Sequence, residues 1–372
     1  MVCACLENNI CTERIIMELL ENITTLSHEF GTPEYLKGGG GNTSAKNKDT
    51  LWIKPSGTAL LDMKPNLFVE MDRVKLTALY RTKPPAEVAA REEWVKNTMV
   101  AAVRPGAAGR PSVEAPLHNL LDAAYVVHTH PALINGLTSG RNGPKICQQF
   151  FPDSLWVDYV DPGYTLCMRV VERIDGYRKE HGHEPQLVFL GNHGVFVGGD
   201  SPAAIRKAYK LIMGKVEAEY KKQGISMELR VGPAPAQGEA EAVRKKVADA
   251  LGGEHAAAVG ASGMFAYATA AVSPDQIVYM RSCPMTADLS PAALKEFQKK
   301  HGYSPRIVVT KTGVFGLGSS QKNADLALEL AQDSALVVQL AAAFGGIRYM
   351  TNDEGNFIDK WEAEAYRRKM MK

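Results

Sequence analysis

A short apolar stretch that ends in two histidines most constrains the fold of this chain. Residues 123–127 (Ala-Ala-Tyr-Val-Val) are typical of a buried strand, and His128 and His130 stand at its end, before Pro131. Residues two apart in a strand point to the same face, about 6.5–7 Å apart, so two imidazoles there can converge on one metal ion. For an isolated pair, two core histidines with satisfied ring nitrogens are an equally good interpretation.

Two further segments favour the metal site. Glu114 and His118 precede the strand, and His193 stands in a tight turn between the apolar residues 187–190 and 194–197. Three histidines, a carboxylate and an open position have the composition of a catalytic zinc site.

Composition excludes several classes of protein. The chain has 372 residues, enough for two or three domains, with 45% hydrophobic and 23% charged residues, as in ordinary soluble globular proteins. The net charge of +2 gives no indication of a nucleic acid or an anionic membrane as partner. The sequence shows no run of about 18 apolar residues and no basic-then-apolar leader, so we expect a cytoplasmic protein that does not bind membranes.

The N-terminal cysteines allow two interpretations. Cys3, Cys5 and Cys11 cluster within the first residues of the chain. They can bind a metal or sense redox state, or they can be reduced thiols on a flexible terminus, and we favour the second interpretation.

A glycine run near the N-terminus is a candidate anion site. Residues 38–41 are all glycine and are followed by Asn42, Thr43 and Ser44. Successive glycines let the backbone approach a ligand and offer amides to an anion, although alone they are equally typical of a flexible loop. The run matches neither the Walker nor the Rossmann pattern. Together with the turn at residues 54–57 (Lys-Pro-Ser-Gly) it predicts a phosphate cradle.

Apolar periodicity and capping residues predict alternating helices and strands. Helices are expected at 12–27, beginning at Thr12, and at 87–103, 116–122, 132–139, 165–180, 202–222, 239–251 and 323–343. Strands are expected at 51–54, 123–127, 155–157, 187–190 and 194–197.

The second half of the chain repeats part of this pattern. Residues 277–284 resemble residues 125–131, and residues 307–315 resemble residues 188–196, again followed by a long helix. Other residues stand where the histidines would be: Arg281, Cys283 and Thr312. The pattern predicts a shortened internal duplication that lost its metal site, and a coincidence between two common βα patterns is the alternative.

Several of these motifs, in this order and spacing, resemble the class II aldolase/adducin family. They are Gly41-Asn42-Thr43-Ser44, Pro55-Ser56-Gly57, Pro111-Ser112-x-Glu114 with His118, His128-x-His130 and Asn192-His193-Gly194. The resemblance covers about residues 12–222. It implies an α/β fold, a three-layer α/β/α domain with a mainly antiparallel central sheet, to which the repeat adds a smaller, degenerate second α/β copy.

The resemblance also implies roles for individual residues. His128, His130 and His193 match the metal ligands, and Glu114 matches the carboxylate that ligates the resting metal and shuttles the proton. Five residues match the phosphate-binding positions of the fuculose-phosphate aldolase branch: Gly41, Asn42, Ser56, Gly57 and Ser112. The cofactor implied is Zn²⁺ or another divalent metal, and no tyrosine can be assigned as the general acid.

The domain organisation follows from a linker-like stretch at residues 231–238. We expect a class II aldolase-like catalytic domain at 1–230 and a degenerate aldolase-like domain at 231–372. The end of the chain, with Phe357-Ile358-Asp359-Lys360-Trp361-Glu362, is similar to the second half of the aldolase portion in fused aldolase–dehydrogenase proteins.

The resemblance implies a zinc-dependent aldolase, a carbon–carbon lyase. Its substrate would be a (deoxy)ketose 1-phosphate, such as L-fuculose or L-rhamnulose 1-phosphate, cleaved to dihydroxyacetone phosphate and an aldehyde. The family favours a homo-oligomer, in particular a tetramer. The alternatives are a methylthioribulose-1-phosphate dehydratase, a pentulose-phosphate 4-epimerase, which usually has aspartate at the Glu114 position, and a non-catalytic adducin-like scaffold.

Overall fold

The computed structural model describes residues 2–360, and it describes side chains from residue 12 onwards, except those of residues 88 and 360. The roles raised for Cys3, Cys5 and Cys11 therefore lie outside the described side chains. Trp361 and Glu362 of the C-terminal resemblance lie outside the described residues.

Helices and strands alternate through the chain, as expected of an α/β protein. The strands are β1 (Asn42–Lys46), β2 (Thr50–Ile53), β3 (Val69–Asp72), β4 (Tyr125–Thr129), β5 (Leu155–Val157), β6 (Leu187–Leu190), β7 (Gly194–Gly199), β8 (Ala258–Gly263), β9 (Ile307–Val309) and β10 (Gly313–Gly318). The helices are α1 (Val2–Phe30), α2 (Arg73–Arg81), α3 (Val88–Ala102), α4 (Ala115–Leu120), α5 (Ala132–Thr138), α6 (Gly143–Phe150), α7 (Tyr164–His181), α8 (Pro202–Lys222), α9 (Glu239–Leu251), α10 (Pro274–Met280), α11 (Pro291–His301), α12 (Gln321–Ala341) and α13 (Asn352–Lys360).

The first seven strands form one sheet in the order β3-β2-β1-β4-β7-β6-β5. Every neighbouring pair is antiparallel except β5 and β6, which are parallel. The predicted mainly antiparallel central sheet is therefore confirmed.

Successive strand residues point to opposite faces of this sheet, and helices cover both faces. On one face, the Thr129 hydroxyl lies 2.7 Å from the Tyr209 hydroxyl of α8. On the other, Val126 packs in a core with Leu117 of α4 and Val170 of α7. This arrangement is the predicted three-layer α/β/α architecture.

The second half of the chain has a smaller α/β core. Strand β10 lies between β8 and β9, and both pairs are antiparallel. Val314 packs against Ala327 and Leu328 of α12 on one face of this sheet. Phe315, the next residue, belongs to a second core, on the other face, together with Val247 of α9 and Leu294 of α11.

One predicted element of the repeat is wrong. Residues 277–281, expected to match the histidine strand, lie in and just after helix α10. Pro274 occupies the first helical turn and Ser273 the N-cap position, a combination that starts helices. Ile277, Val278 and Met280 are buried within the helix, and a short buried apolar run has no periodicity that separates helix from strand. The hairpin of β9 and β10, followed by α12, forms as predicted.

Helix α1 also differs from expectation at its start. It begins at Val2 rather than at Thr12 and ends at Phe30, before Gly31. Residues 2–30 contain neither glycine nor proline, so no helix-breaking residue prevents the helix from starting before Thr12.

The chain divides into two compact units. One comprises residues 1–131, 148–190 and 194–213, and the other comprises residues 132–147, 191–193 and 214–372. Each unit is assembled from several segments, whereas the sequence predicts a single division after residue 230. The two predicted domains remain a prediction.

One helical stretch in the described part of the chain, Gln321–Phe344, is long and apolar enough to cross a membrane. In the fold, 61% of its most apolar window is buried, as in the core helix of a soluble protein. Its composition is therefore weak evidence for a membrane span.

Candidate metal centre

The predicted site motifs converge at one end of the central strands of the seven-stranded sheet. Asn42, the first residue of β1, stands opposite His128 near the end of β4. The end of β2 lies beside it, because β1 and β2 are antiparallel. The turn after β2 is tied to the segment before α4: the Ser56 amide donates to the Arg110 carbonyl at 2.8 Å, and the Ser112 amide donates to the Lys54 carbonyl at 3.3 Å.

The ring of His128 is oriented by its surroundings. Its Nδ1 lies 3.0 Å from the carbonyl oxygen of Val195, and its ring stacks on Phe196 with centroids 3.8 Å apart. Because a carbonyl oxygen only accepts, Nδ1 carries the proton and Nε2 has the lone pair that a metal ligand needs. The Nε2 atoms of His128 and His130 are 2.9 Å apart.

The three predicted histidine ligands come together. His128, His130 and His193 each offer a ring nitrogen, and these atoms lie within 4.8 Å of one another. Two nitrogens bound to one tetrahedral zinc ion are about 3.3 Å apart, so small side-chain movements suffice for coordination. His128 and His130 are buried and His193 is partly exposed, which leaves one side accessible. The residues therefore fit a divalent metal ion, and the described part of the chain contains no second such group of three.

Glu114 lies beside this group. It is buried at the N-cap position of α4, and its Oε1 is 3.5 Å from the Nε2 of His128. The side-chain amide of Asn42 donates a hydrogen bond to Oε2, and the Glu114 amide donates to the Ser112 hydroxyl at 3.2 Å. Of the predicted phosphate-binding residues, Asn42 thus holds the carboxylate of Glu114 and Ser112 holds its backbone amide.

His118 is not a member of the metal group. Its Nδ1 lies 2.8 Å from the Ser44 hydroxyl, and its carbonyl oxygen accepts a hydrogen bond of 2.9 Å from the Lys46 amine. The pKa of His118 lies well below its usual value because of burial, with further contributions from His128, Lys46 and Lys54. Burial, followed by the charge of Arg73, lowers the pKa of Lys46 to about 7. Ser44 and Lys46 thus connect β1 to α4, which follows Glu114.

Two glycines permit the close approach of the backbone around the histidines. Gly41 has φ +65°, and a Cβ there would lie 2.7 Å from the carbonyl oxygen of His128. A Cβ at Gly194 would lie 2.7 Å from Cδ2 of the His130 ring. Side chains at either position would push the neighbouring strand away from β4.

The predicted phosphate cradle has a buried amine beneath it. Lys54 is 2% exposed, and its amine donates a hydrogen bond of 2.7 Å to the carbonyl of Thr58, across the turn that contains Ser56 and Gly57. Ser56 and Gly57 are themselves partly exposed. The sequence pattern includes Lys54 in the turn without assigning it to the site, because the burial of its amine depends on the tertiary fold.

A family model covers most of the seven-stranded part of the chain. The model of the Class II Aldolase and Adducin N-terminal domain matches residues 21–219. The chain belongs to this family. Class II aldolases are generally divalent-metal-dependent lyases, and the group formed by His128, His130 and His193 can hold such a metal.

Known proteins are similar to parts of this class II aldolase family member. The "Uncharacterized oxidoreductase YuxG" of Bacillus subtilis is 29% identical over 175 residues, which are 44% of this chain and 24% of that protein. This chain thus spans about a quarter of the length of the curated relative that it matches.

Solved structures are similar to part of this chain at low identity. The N-terminal class II aldolase domain of a conserved protein from Thermoplasma acidophilum is 22% identical, with 54% of this chain and 92% of that chain covered and a TM-score of 0.45. The L-fuculose-1-phosphate aldolase from Thermus thermophilus is 17% identical, with 56% and 98% covered and a TM-score of 0.36. The family assignment rests on the family model.

Proposed function

We propose that this chain is a zinc-dependent aldolase that cleaves a (deoxy)ketose 1-phosphate, such as L-fuculose or L-rhamnulose 1-phosphate, to dihydroxyacetone phosphate and an aldehyde. The observation that carries the proposal is the group of His128, His130 and His193 with the Glu114 carboxylate 3.5 Å from His128. A scaffold without catalysis would not need a buried carboxylate against three convergent imidazoles.

The chain's own residues divide the work of such a cleavage. His128, His130 and His193 would hold a divalent cation through their imidazole nitrogens, and this cation would act as a Lewis acid toward the negative charge that develops on the substrate oxygens. In cleavage, the hydroxyl proton of the carbon that becomes the aldehyde passes to solvent as the carbon–carbon bond breaks. Glu114, in its acid form, gives a proton to the carbon that stays in dihydroxyacetone phosphate, and in condensation its carboxylate removes that proton. Asn42 holds the Glu114 carboxyl group in place beside His128, and Ser112 fixes the backbone of Glu114.

The substrate phosphate would bind at the turn after β2. The amides and hydroxyls of Gly41, Asn42, Ser56, Gly57 and Ser112 are the proposed contacts, and the buried Lys54 amine adds a donor group below the turn. Anions bind well at turns that present successive amides. Binding the non-reacting phosphate positions the carbons that react.

The remaining features of the proposal concern context. We propose a cytoplasmic homo-oligomer, in particular a tetramer, with a catalytic domain at residues 1–230 and a C-terminal domain at 231–372. We also propose that the C-terminal part corresponds to the second half of the aldolase portion in fused aldolase–dehydrogenase proteins.

The test is an assay of several ketose 1-phosphates for release of dihydroxyacetone phosphate by the zinc-loaded protein. Release from at least one of them, abolished by a chelator and restored by zinc, is the expected result. A product with an unbroken carbon chain would instead identify a dehydratase or an epimerase. Turnover of none of them, with a full complement of metal, would contradict the proposal.

A further inference from the structure

The turn that carries His193 depends on an unusual backbone conformation. Asn192 has φ +54°, the left-handed region that residues other than glycine rarely adopt. Asparagine is among the residues that tolerate it, but the conformation needs support from the surrounding structure. Asn192 is 1% exposed, so this support comes from protein groups.

Hydrogen bonds on every side-chain polar atom hold Asn192. Its Nδ2 donates to the carbonyl oxygens of Val272 at 2.9 Å and Arg348 at 2.8 Å. Its Oδ1 accepts a hydrogen bond of 2.6 Å from the Arg348 guanidinium. The backbone amide donates to the Thr138 carbonyl at 3.0 Å. Arg348 thus holds the Asn192 side chain twice, as donor and as acceptor.

Arg348 is itself fixed in place. Its amide donates to the Ser139 carbonyl at 2.7 Å, and two residues later the Met350 amide donates to the Ala271 carbonyl at 2.8 Å. Its second guanidinium nitrogen donates to Glu354 of α13 at 2.7 Å. This carboxylate neutralises the guanidinium charge, which would otherwise oppose a cation near the His193 turn.

These residues lie in one compact unit, which contains residues 132–147, 191–193 and 214–372. Val272, Arg348 and Glu354 all lie outside the residues that match the family model, 21–219. The support of the His193 turn therefore comes in part from chain that the family domain does not include.

We propose that Arg348 is a positioning residue of the metal centre. By fixing the Asn192 side chain, it fixes the backbone from which His193 presents its imidazole. The inference rests on the proposed metal site and on no particular substrate. Groups that orient metal ligands typically contribute about 10–100-fold to metal affinity. Because Arg348 acts through Asn192, we expect a loss near the lower end of this range.

The test measures zinc affinity by competition with a chelator, together with the visible absorption spectrum of the Co²⁺-substituted protein. Arg348→Met should weaken zinc binding about tenfold and alter the Co²⁺ spectrum. The zinc affinity of Arg348→Lys should lie between those of Arg348→Met and the wild type. The lysine amine can still donate to Asn192, but lysine has no second nitrogen for Glu354.

A second variant separates the mechanism from general destabilisation. Asn192→Gly keeps the left-handed backbone accessible but removes the side-chain bonds. It should weaken zinc binding as Arg348→Met does, and the double variant should bind no more weakly than either single variant, because both remove the same interaction. If the loss of zinc affinity in the double variant equals the sum of the two single losses, the inference is overturned.

The matched control is Arg281→Met. Arg281 also forms an ion pair with a carboxylate of α13, Asp359, but has no contact with Asn192 among the described interactions. Its variant should keep the wild-type zinc affinity. Wild-type affinity and spectrum in folded Arg348→Met would overturn the inference, as would an equal loss in Arg281→Met.

A wild-type protein that binds no metal would overturn both this inference and the proposed function, whereas a metal-replete protein that cleaves no ketose phosphate would contradict the proposed function alone.

Discussion

Two hairpins of this molecule share a chain pattern and differ in chemistry. Strands β6 and β7 are joined by residues 191–193, and strands β9 and β10 by residues 310–312. In both hairpins the second strand begins Gly-Val-Phe, is buried throughout and is followed by a 21-residue helix. Only the first carries a histidine in its turn.

The two turns are stabilised in different ways. In the first, Asn192 adopts a left-handed conformation and is held by Arg348. In the second, the Thr310 hydroxyl closes the turn by accepting hydrogen bonds from the amides of Thr312 at 3.2 Å and Gly313 at 3.3 Å. The second turn is thus closed by its own Thr310 side chain, and the Thr312 hydroxyl also donates to Glu239 of α9. In the first turn, the side chain of the strained residue is held entirely by residues far along the chain.

The neighbouring strands differ as well. Strand β7 pairs with β4, which contains His128, whereas β10 pairs with β8, whose sequence Ala-Val-Gly-Ala-Ser-Gly has no metal-ligating side chain. The strand–turn–strand–helix pattern therefore specifies a hairpin in both places. A metal site requires, in addition, a ligand in the turn and further ligands on the neighbouring strand.

The largest expected effect is that of His193→Ala on metal binding. Removing one of three ligands should weaken zinc affinity by more than about 100-fold, beyond the effect of groups that only orient ligands. The matched change in the second hairpin, Thr312→Ala, should leave the affinity unchanged. Metal content of the purified proteins and chelator competition measure both.

The reverse exchange introduces a histidine into the turn of the second hairpin. Thr312→His should not create a second metal equivalent, because β8 offers no partner ligand. Unchanged zinc affinity in folded His193→Ala would contradict the assignment of the ligands.

A second prediction concerns the turn after β2. Gly57→Val should raise the KM for a phosphorylated ketose by about 10–100-fold, the equivalent of losing a hydrogen bond to a charged group. Zinc content should stay near one per chain, because Gly57 is not a ligand. Ser56→Ala is the milder variant and should have a smaller effect in the same direction. Equal turnover of phosphorylated and unphosphorylated sugar by the wild-type protein would show that no phosphate is recognised there.

A third prediction concerns Lys46, whose pKa falls from 10.5 to about 7 on folding. Between these two pH values the unfolded chain binds a proton that the folded chain lacks, so the free energy of unfolding rises with pH. Below pH 7 the amine is charged in both states, and the full cost of burying that charge lowers the stability of the fold. The free energy of unfolding of the wild type, relative to Lys46→Met, should rise by about 2 kcal/mol from pH 7 to pH 9. Denaturant unfolding of both proteins measures it, and a difference that does not vary with pH would contradict the lowered pKa.

The smallest expected effect is that of Cys283→Ala on metal content. Burial raises the pKa of the Cys283 thiol, which disfavours the thiolate that binds metals. Arg281, two residues earlier, is paired with Asp359 and adds no ligand. We therefore expect one metal per chain in both proteins. A second equivalent in the wild type, lost in Cys283→Ala, would reassign the C-terminal half.

Local patterns explain what could be predicted from the sequence. The strand before His128, the turn at His193 and the long helix after each hairpin all have signals within a few residues. Strand β1 escapes prediction because Asn42 follows four glycines, which favour a loop. Helix α10 escapes prediction because residues 277–280 are apolar without a break, and its only distinguishing signal is the helix start at Ser273-Pro274.

The support of the site depends on contacts that leave no local pattern. Arg348 and Asn192 are 156 residues apart in sequence, and nothing near Arg348 distinguishes it from a surface arginine. The bond from Asn42 to Glu114 spans 72 residues and is visible only once β1 pairs with β4. The candidate ligands could be proposed from motifs, whereas the residues that orient them required the fold.

In the proposed mechanism, the three histidines hold a metal ion and Glu114 transfers a proton to or from a substrate carbon beside that ion. The most direct measurement is the exchange of the C3 proton of dihydroxyacetone phosphate with solvent deuterium, followed by NMR in wild-type and Glu114→Gln proteins at equal metal content. We predict that Glu114→Gln retains its metal and exchanges about 10²–10⁴-fold more slowly, the usual contribution of general acid–base catalysis. Exchange at the wild-type rate by metal-replete Glu114→Gln would contradict the account.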